Sequence, residues 1–585
     1  MHFLQKYCII AVMKRLLFLA AFLSFLIFGS CSNDSYDCYS WTSDPDEISI
    51  DNVVSANNAE EHPHDNLKTK IEKDFLVLFY INGDTPYNDY VFYQMAQIGK
   101  GLRSVIRYDG ITPKKAYNNI TAAGLWDGYN KDANFTPKYY YPYTSVLEFI
   151  FPEQEYTKNI AKNIKNFTID YSSEIMNSTN NWLTDIQEAS LADSDTLKEF
   201  LNWALAKYNS DNSKEVILVL IGMGGGSFGD ETGSYIPPDF SRSTCRDYSN
   251  ESFYLSASDI KKALNENGYT DTNKLPLLVI DSGLSSSLED AFELKDCVQS
   301  LLACPSDAPA GGIDLNYFLQ TLKKNSTLYD IGNANVNIYA NKNYRNQSIT
   351  THGNASLSFL DLSAIGTLAD NINLLSAEIL NRKDTAEIEH SNGKKYSMYN
   401  LMYNKTLGEG FLYYSDTFEN SITDKSMYYQ ALYEHKIPDD TFFMGYFYQY
   451  DLTYLSYAIR RAAEKNGAST LYYYANQVVE NLNEIIVSSW RNGTGSKSGL
   501  YPNLNTTFND DSTTLLQFGI TIGGPARSQY KNADGTYIYL QPYNFSDFSY
   551  KDYQDSTGTT WKYLLQSLFP EQFVENKFIV YEQYR

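Results

Sequence analysis

Runs of consecutive apolar residues, separated by segments of helical periodicity, recur along the first half of the chain. Three of them read KDFLVLFY (73–80), VILVLI (216–221) and KLPLLVID (274–281). Continuous apolar runs of this length are typical of strands buried on both faces, and they predict a mainly parallel sheet. In such sheets, chemistry is concentrated at the carboxyl ends of the strands. The loops after Ile221 and after Ile280 are therefore the first places to search for a functional site.

Helical patterns fill most of the space between these runs. The predicted helices cover approximately residues 90–102, 170–208, 256–268, 285–302, 363–381, 451–465 and 468–490. Ser256 and Asp259 form a capping-box pattern, and Gly268 is a helix-stop signal. Strands that alternate with helices indicate an α/β fold with a mainly parallel sheet covered on both faces. The last third of the chain is less regular and contains long loops.

The N-terminal segment has the features of a secretory signal. A basic start at Met13 is followed by the apolar run LLFLAAFLSFLIF and then by Gly-Ser-Cys31. The run is too short to span a membrane and ends at small residues, which is typical of a cleavable signal peptide. Gly-Ser-Cys resembles the lipobox of bacterial lipoproteins. We predict a signal peptide over 1–30, with Met13 as the true start, and a lipid on Cys31.

Composition divides the remaining chain into three parts. Residues 31–70 are rich in Ser, Asn, Asp and Glu, which predicts a flexible tether behind the lipid. Residues 71–385 carry the α/β pattern, and 386–585 form a C-terminal helical and loop-rich region of the same fold. No later segment approaches the roughly 20 apolar residues of a spanning helix. We therefore expect a lipid-anchored protein of the bacterial cell envelope, at the outer membrane or cell surface.

Charge and residue counts exclude several classes of function. The net charge of -23 argues against a nucleic-acid partner, because phosphate binding needs clustered Lys and Arg. The six cysteines form no C-x-x-C pair, so we expect no zinc, other metal or cofactor. The 51 tyrosines leave a glycan-binding surface open, because tyrosine suits half-buried, wet contacts.

A glycine-rich segment follows the second apolar run, in VILVLIGMGGGSFGDE (216–231). From Gly224 to Gly229 it matches G-x-G-x-x-G, the pattern of dinucleotide-binding loops. Such a loop must open a helix whose amides hold the phosphates. Here Pro237 opposes an immediate helix, Asp230 places negative charge where phosphate would lie, and the loop has no lysine. A tight turn at a strand end is the better interpretation.

The order of several segments resembles that of the clostripain-like cysteine peptidases, which have a caspase-type three-layer α/β/α fold. The segments that carry the resemblance are FLVLFYINGD, VILVLIGMGGGSFG, LPLLVIDSGLSSSLEDAFELKD, SFLDLSAIGTLADNI, YDLTYLSYAIRRAAE and FGITIGGP, followed by Trp561. Together they extend over most of residues 73–570. The resemblance implies an α/β/α sandwich with a mainly parallel sheet, and a peptidase mechanism at the two loops named above.

The resemblance also implies where the catalytic residues should lie. The family uses a cysteine thiolate as nucleophile and a histidine for proton transfer. The histidine position corresponds to Met223 and the cysteine position to Gly283. A thioether does not transfer protons at neutral pH, and glycine has no side chain. None of the six histidines lies in either loop. We therefore expect no catalytic residues.

Four nearby residues remain candidates for a ligand groove, namely Asp84, Gly224, Asp281 and Ser282. The resemblance implies that Asp281 lines a pocket for a basic side chain, although a helix cap is the alternative. The serines 285–287 are predicted to cap the next helix. Packing or a disulfide is the expected role of Cys297 and Cys304.

Three functions are compatible with these observations. The first is a membrane-tethered, catalytically inactive clostripain-like homologue that binds peptides or proteins. The second is an active cysteine- or serine-type endopeptidase of that family, which cleaves after basic residues through unrecognised catalytic groups. The third is a glycan-binding lipoprotein of the cell surface.

Overall fold

The fold was analysed in a computed structural model. It describes residues 64–84, 91, 94–95, 97–98, 101–102, 106–108, 113–115, 119–128, 144–148, 189–222, 244–247, 253–283, 285–305, 312–345, 356–382, 388–389, 395–396, 403–404, 409–410, 447–465, 467–491, 519–526, 529–531, 537–539, 549–554, 558–568 and 570.

The regular elements are numbered in chain order. The first half contains β1 (Asp74–Asn82), β2 (Ile106–Tyr108), β3 (Pro113–Lys115), β4 (Ile120–Asp127), β5 (Thr144–Glu148), α1 (Ser194–Tyr208), β6 (Lys214–Ile221), β7 (Thr244–Asp247), β8 (Phe253–Leu255), α2 (Ala257–Glu266), β9 (Leu275–Asp281), α3 (Leu288–Leu294) and β10 (Val298–Ala303). The described residues of 91–102 are helical.

The second half contains α4 (Leu315–Thr321), α5 (Leu328–Arg345), β11 (Ser356–Asp361), α6 (Ile365–Arg382), β12 (Ile388–Glu389), β13 (Lys395–Tyr396), β14 (Tyr403–Asn404), β15 (Glu409–Gly410), β16 (Phe447–Asp451), α7 (Leu452–Lys465), α8 (Ser469–Ile485), β17 (Ile486–Arg491), β18 (Thr521–Ala526), β19 (Gln529–Lys531), β20 (Tyr537–Tyr539) and α9 (Trp561–Leu568). Short 3-10 turns occupy Asp65–Leu67, Leu362–Ala364 and Ser549–Asp552.

One eight-stranded sheet organises the protein, in the order β17-β11-β10-β9-β6-β1-β4-β5. The five strands β10, β9, β6, β1 and β4 are parallel to one another. Antiparallel strands close the sheet on both sides, with β5 at one edge and β11 and β17 at the other. The mainly parallel α/β sheet predicted from the apolar runs is therefore confirmed.

Side chains that alternate along each central strand fill two separate cores. On β1, Leu76, Leu78 and Tyr80 face a core built with α1, α2, α3, α6, α7, α8 and α9, which we call the first face. Phe75 and Phe79 point to the second face, where the helical residues of 91–102, α4 and α5 pack. Helices thus cover both faces of the sheet in three layers, as expected for central strands that are apolar over most of their length.

The capping-box prediction at α2 is correct. The Ser256 hydroxyl accepts a hydrogen bond from the Asp259 amide, and the Asp259 carboxylate accepts one from the Ser256 amide. Gly268 follows the helix with a φ of 86°. This is the left-handed conformation that glycine adopts without strain, so the helix ends where the sequence predicts.

Two predicted helices are longer in the sequence pattern than in the structure. The helix expected over 285–302 ends at Leu294, and Val298–Ala303 is a strand between β9 and β11. The helix expected over 468–490 ends at Ile485, and Ile486–Arg491 is the edge strand β17. In both places the spacing of the apolar residues fits a helix as well as a strand. Pairing with a neighbouring strand of the sheet selects the strand.

The C-terminal region packs against the segment that follows β9. The Ser286 hydroxyl donates to the Gly519 carbonyl, with an oxygen–oxygen distance of 2.7 Å. The Glu289 carboxylate on α3 accepts from the Gly523 amide at 2.9 Å, and the Trp561 indole donates to the Gly523 carbonyl at 2.6 Å. These buried bonds attach β18 and α9 to α3, and so fix the start of α3 near the candidate site.

None of the described helices combines the length and the apolar character needed to cross a membrane. The predicted signal peptide, Cys31, residues 31–63 of the predicted tether and the helix predicted over 170–188 lie outside the described residues, and these predictions remain untested.

The last part of the predicted tether, 64–70, is not a free linker. His64 and Leu67 are buried and Lys70 bridges to Thr327, so the packed fold begins before residue 71 because these side chains find contacts on the second half of the chain.

Candidate functional site

Strands β6 and β9 are neighbours in the sheet and run in parallel. Their register places Ile221 opposite Asp281, so both strands end at the same level. The loops that begin at Gly222 and Ser282 therefore leave the sheet side by side. This is the arrangement that a dyad divided between the two loops requires, and it corresponds to the two strand ends selected from the sequence.

The two predicted dyad positions differ in what the structure describes. Met223 and Gly224 lie outside the described residues. Gly283 is described and is partly exposed, in contrast to the buried residues that precede it. A residue at position 283 lies two residues beyond the end of β9, at the same edge as Gly222. The position could present a side chain to a ligand, but glycine supplies none.

Asp281, the last residue of β9, is fully buried. Its Oδ2 atom accepts a hydrogen bond from the Gln94 side-chain amide at 2.6 Å, and its Oδ1 atom accepts one from the Ile313 amide at 2.9 Å. The N-cap of α3 is Ser287, so Asp281 does not cap that helix. Its carboxylate instead links the end of β9 to two segments of the second face, with both oxygens engaged inside the protein.

The serines around Gly283 are buried and have structural contacts. Ser282 is 1% exposed, and its hydroxyl has no hydrogen-bond partner among the described residues. The Ser285 hydroxyl donates to the Ser282 carbonyl, and the Ser286 hydroxyl donates to the Gly519 carbonyl. Ser287 caps α3, as the sequence predicts. None of these four hydroxyls is accessible to a substrate.

Cys245 lies beside the end of β6, where its Sγ atom is 3.8 Å from the Ile221 carbonyl oxygen. A Cβ atom placed on Gly222 would lie 3.1 Å from the Cys245 Cα atom, so Cys245 covers Gly222 on the first face. The thiol is buried, and burial raises its pKa to about 12. Cys297 and Cys304 are also buried and neither forms a disulfide, so packing is the role that the structure gives them.

His64 is the histidine that falls within the described part of the chain, and it lies far from this edge. Its Nδ1 atom is 3.5 Å from an Asp361 carboxylate oxygen. Asp361 pairs with Ser300 near the amino end of β10. This contact therefore lies toward the amino ends of the parallel strands, whereas the candidate site lies at their carboxyl ends. Burial opposes ionisation of Asp361, but hydrogen bonds from His64, Ser363 and Asn66 outweigh it and lower the pKa of that carboxyl.

Asp84 is buried just beyond the end of β1, where the preceding amide of Gly83 donates to the Asp127 carbonyl at 2.7 Å. Asp84, Asp281 and Ser282 are thus all enclosed by protein. The sequence predicts that they line a groove, whereas the structure buries them because neighbouring segments cover the strand ends. Gly283, in contrast to these three residues, is partly exposed.

The sequence reasoning missed the groups that occupy this edge. Gln94 and Ile313 hold Asp281, and Cys245 covers Gly222. They come from segments distant in the chain and form no motif of fixed spacing. Asp127 is different, since it ends a strand that reads ITAAGLWD. The strand-end argument that selected Ile221 applies to Asp127 as well.

The architecture defines an α/β protein with a candidate site at the carboxyl ends of β6 and β9, and the described residues of that site include no accessible nucleophile. A model of the clostripain family matches residues 136–562, and the chain therefore belongs to the clostripain family. The resemblance inferred from the order of the segments is confirmed, as is the α/β fold class that it implies.

Comparison with solved structures finds proteins to which the chain is similar. A secreted C11 cysteine protease from Bacteroides thetaiotaomicron, in complex with an irreversible peptide inhibitor, is 13% identical, with 77% of this chain and 92% of that chain covered and a TM-score of 0.40. An inactive zymogen C11 protease from Parabacteroides distasonis is 14% identical, with 78% of this chain and 93% of that chain covered and a TM-score of 0.40. No curated protein sequence matches the chain.

Proposed function

We propose that this clostripain-family protein is a catalytically inactive peptidase homologue that binds peptide or protein ligands at the cell envelope. The observation that carries the proposal is Gly283, at the position that the family resemblance assigns to the nucleophile. Without a thiolate or an alkoxide at this position, the covalent route of the family has no starting point.

The neighbouring groups support inactivity. The serines from 282 to 287 and the thiol of Cys245 are enclosed by protein, so a peptide carbonyl cannot reach them without a local rearrangement. A nucleophilic serine also needs a base, and the loss of a general base lowers rates by about 10²–10⁴. The residue at the family's histidine position is Met223, whose thioether cannot serve as that base.

The binding role rests on the retained edge of the sheet. Strands β6 and β9 end side by side, and Gly283 at this end of the sheet is partly exposed. Asp281 holds Gln94 and Ile313 instead of a ligand, so selection for a basic side chain is not part of the proposal. A peptide would contact the backbone around Gly283.

We expect the purified protein to bind peptides without cleaving them. The test is incubation with a mixture of Lys- and Arg-containing peptides, followed by mass spectrometry of the bound and free fractions. The expected result is recovery of intact peptides only. Hydrolysis that Ser282→Ala or Cys245→Ala abolishes would overturn the inactive assignment and establish an active peptidase with a replaced nucleophile.

We also propose that a lipid on Cys31 anchors the protein in the bacterial envelope, on the basis of the short apolar run that ends in Gly-Ser-Cys. Expressed in a bacterium, the chain should enter the membrane fraction with a lipid-modified N-terminus. Cys31→Ser should lose the lipid label, whereas the matched variant Cys38→Ser should keep it. Equal labelling of both variants would refute the anchor.

A further inference from the structure

The loop between β9 and α3 (282–287) is bonded to residues that lie far away in the chain. The Ser286 hydroxyl donates to the Gly519 carbonyl, at a sequence separation of 233 residues. The Ser286 carbonyl accepts a hydrogen bond from the Thr521 amide at 3.0 Å and a longer one from the Thr521 hydroxyl at 3.4 Å. Ser287 and Thr521 also form a parallel β-bridge. The segment that begins at Gly519 therefore runs beside the loop as a short added strand.

We call residues 519–523 the clamp segment, and the far end of this segment is attached to two helices. The Gly523 amide donates to the Glu289 carboxylate on α3, and the Gly523 carbonyl accepts a hydrogen bond from the Trp561 indole on α9. All seven residues of α3 are buried. The helix that follows the loop is thus enclosed, so a shift of this helix would displace the clamp segment as well.

Gly519 anchors the clamp segment on the sheet. A Cβ atom placed on Gly519 would lie 2.5 Å from the Ser358 Oγ atom on β11 and 3.1 Å from the Ser489 Cβ atom on β17. Ser358 and Ser489 lie directly opposite each other in the register of these two strands. Gly519 has a φ of 151°, which residues with a side chain rarely adopt. Its backbone therefore lies directly against the sheet, and the clamp segment passes this fixed position on to the loop.

The start of the loop is held by a second set of contacts. The Ser285 amide donates to the Cys304 carbonyl just beyond β10, and the Ser285 hydroxyl donates to the Ser282 carbonyl, both at 2.8 Å. Gly283 lies inside the turn that the second of these bonds closes, and it is partly exposed. A surface that is fixed on both sides loses less conformational entropy when a ligand binds than a mobile one does.

We propose that the clamp segment is a positioning device for the ligand site at Gly283, and that it holds the loop in the conformation that binds peptides. This inference rests on the peptide-binding function proposed above and adds a means of controlling it. Coupling between two sites is reciprocal, because two events that favour the same conformation of the loop favour each other. Release of the clamp segment should therefore weaken peptide binding, and a bound peptide should stabilise the clamp segment.

Ser286→Ala in the purified full chain tests the coupling, because it removes the hydroxyl bond to Gly519 and leaves the backbone intact. Hydrogen exchange without ligand should be about fivefold faster at the Ser285 and Thr521 amides, as expected for the loss of one buried hydrogen bond. The apparent dissociation constant for a mixture of Lys- and Arg-containing peptides should rise at least about threefold. The same peptides should slow exchange of the clamp segment in the native protein.

Ser300→Ala is the matched control. Ser300 is buried like Ser286, and its hydroxyl also donates to a backbone carbonyl, that of Pro276, at 2.6 Å. It lies toward the amino end of β10, away from the loop. This variant should lower the Tm about as much as Ser286→Ala. Exchange of the loop and peptide affinity should both remain at their native values.

Exchange measured without peptide separates this proposal from the proposed function. Unchanged exchange of the loop in Ser286→Ala would overturn the clamp, whether or not the native protein binds peptides. Tighter peptide binding by Ser286→Ala would also overturn it, because the clamp segment would then obstruct the site. If Ser286→Ala loosens the loop but the native protein retains no peptide, the proposed function fails and the hold of the clamp segment on the loop stands.

Discussion

Replacing Asp281 with asparagine is expected to lower the free energy of unfolding by about 2–4 kcal/mol. The Asp281 carboxylate is fully buried and accepts bonds from the Gln94 side chain and the Ile313 amide. An asparagine has the same shape but only one acceptor atom. Its NH2 group would face one of these two donors, and that donor would remain buried without a partner.

Urea unfolding of Asp281→Asn against the native protein measures this effect. The matched control is Asp271→Asn, at an exposed position before β9, which should change stability by less than about 0.5 kcal/mol. A loss below about 1 kcal/mol for Asp281→Asn would contradict a structural role, because the cost of an unsatisfied buried donor would be absent. Asp281 would then again be a candidate for binding a basic ligand.

Gly332→Ala should destabilise the protein by roughly 3 kcal/mol. Gly332 lies on α5 where this helix packs against β11, and a Cβ atom there would penetrate the ring of Phe359. Phe359 is fully buried in the core of the second face, so its ring has little space to move aside. The added methyl group therefore forces the helix and the sheet apart.

Gly366→Ala provides the control for this substitution. Gly366 also lies in a helix, α6, but a Cβ atom there meets nothing within 4 Å. Alanine favours helix by up to about 1 kcal/mol over glycine, so this variant should be as stable as the native protein or more stable. If thermal unfolding showed Gly332→Ala to be equally tolerated, the close contact between α5 and β11 would be refuted.

Much of the sheet could be predicted because its strands are marked by local signals. The strands β1, β6 and β9 contain the unbroken apolar stretches 75–81, 216–221 and 275–280, and strands buried on both faces leave this pattern. The sequence pattern predicts the segments of β10 and β17 as helix ends, because the spacing of their apolar residues fits both a helix and a strand. Only the presence of β9 and β11 as pairing partners selects the strand, and that information is not local.

The candidate site could be predicted in part. The strand ends at Ile221 and Asp281 are adjacent in register, as the parallel-sheet argument requires. The burial of Asp281 and Ser282 could not be predicted, because Gln94, Ile313 and the C-terminal region cover them from distant segments.

Intact-mass analysis with peptidyl electrophiles tests the central claim of inactivity most directly. The native protein would be incubated with an Arg-terminated acyloxymethyl ketone, which captures a catalytic cysteine, and with a fluorophosphonate, which captures a catalytic serine. Either probe reports an activated nucleophile without knowledge of the natural substrate. We expect the mass of the protein to remain unchanged with both. A single stoichiometric adduct, lost on prior unfolding, would contradict the account.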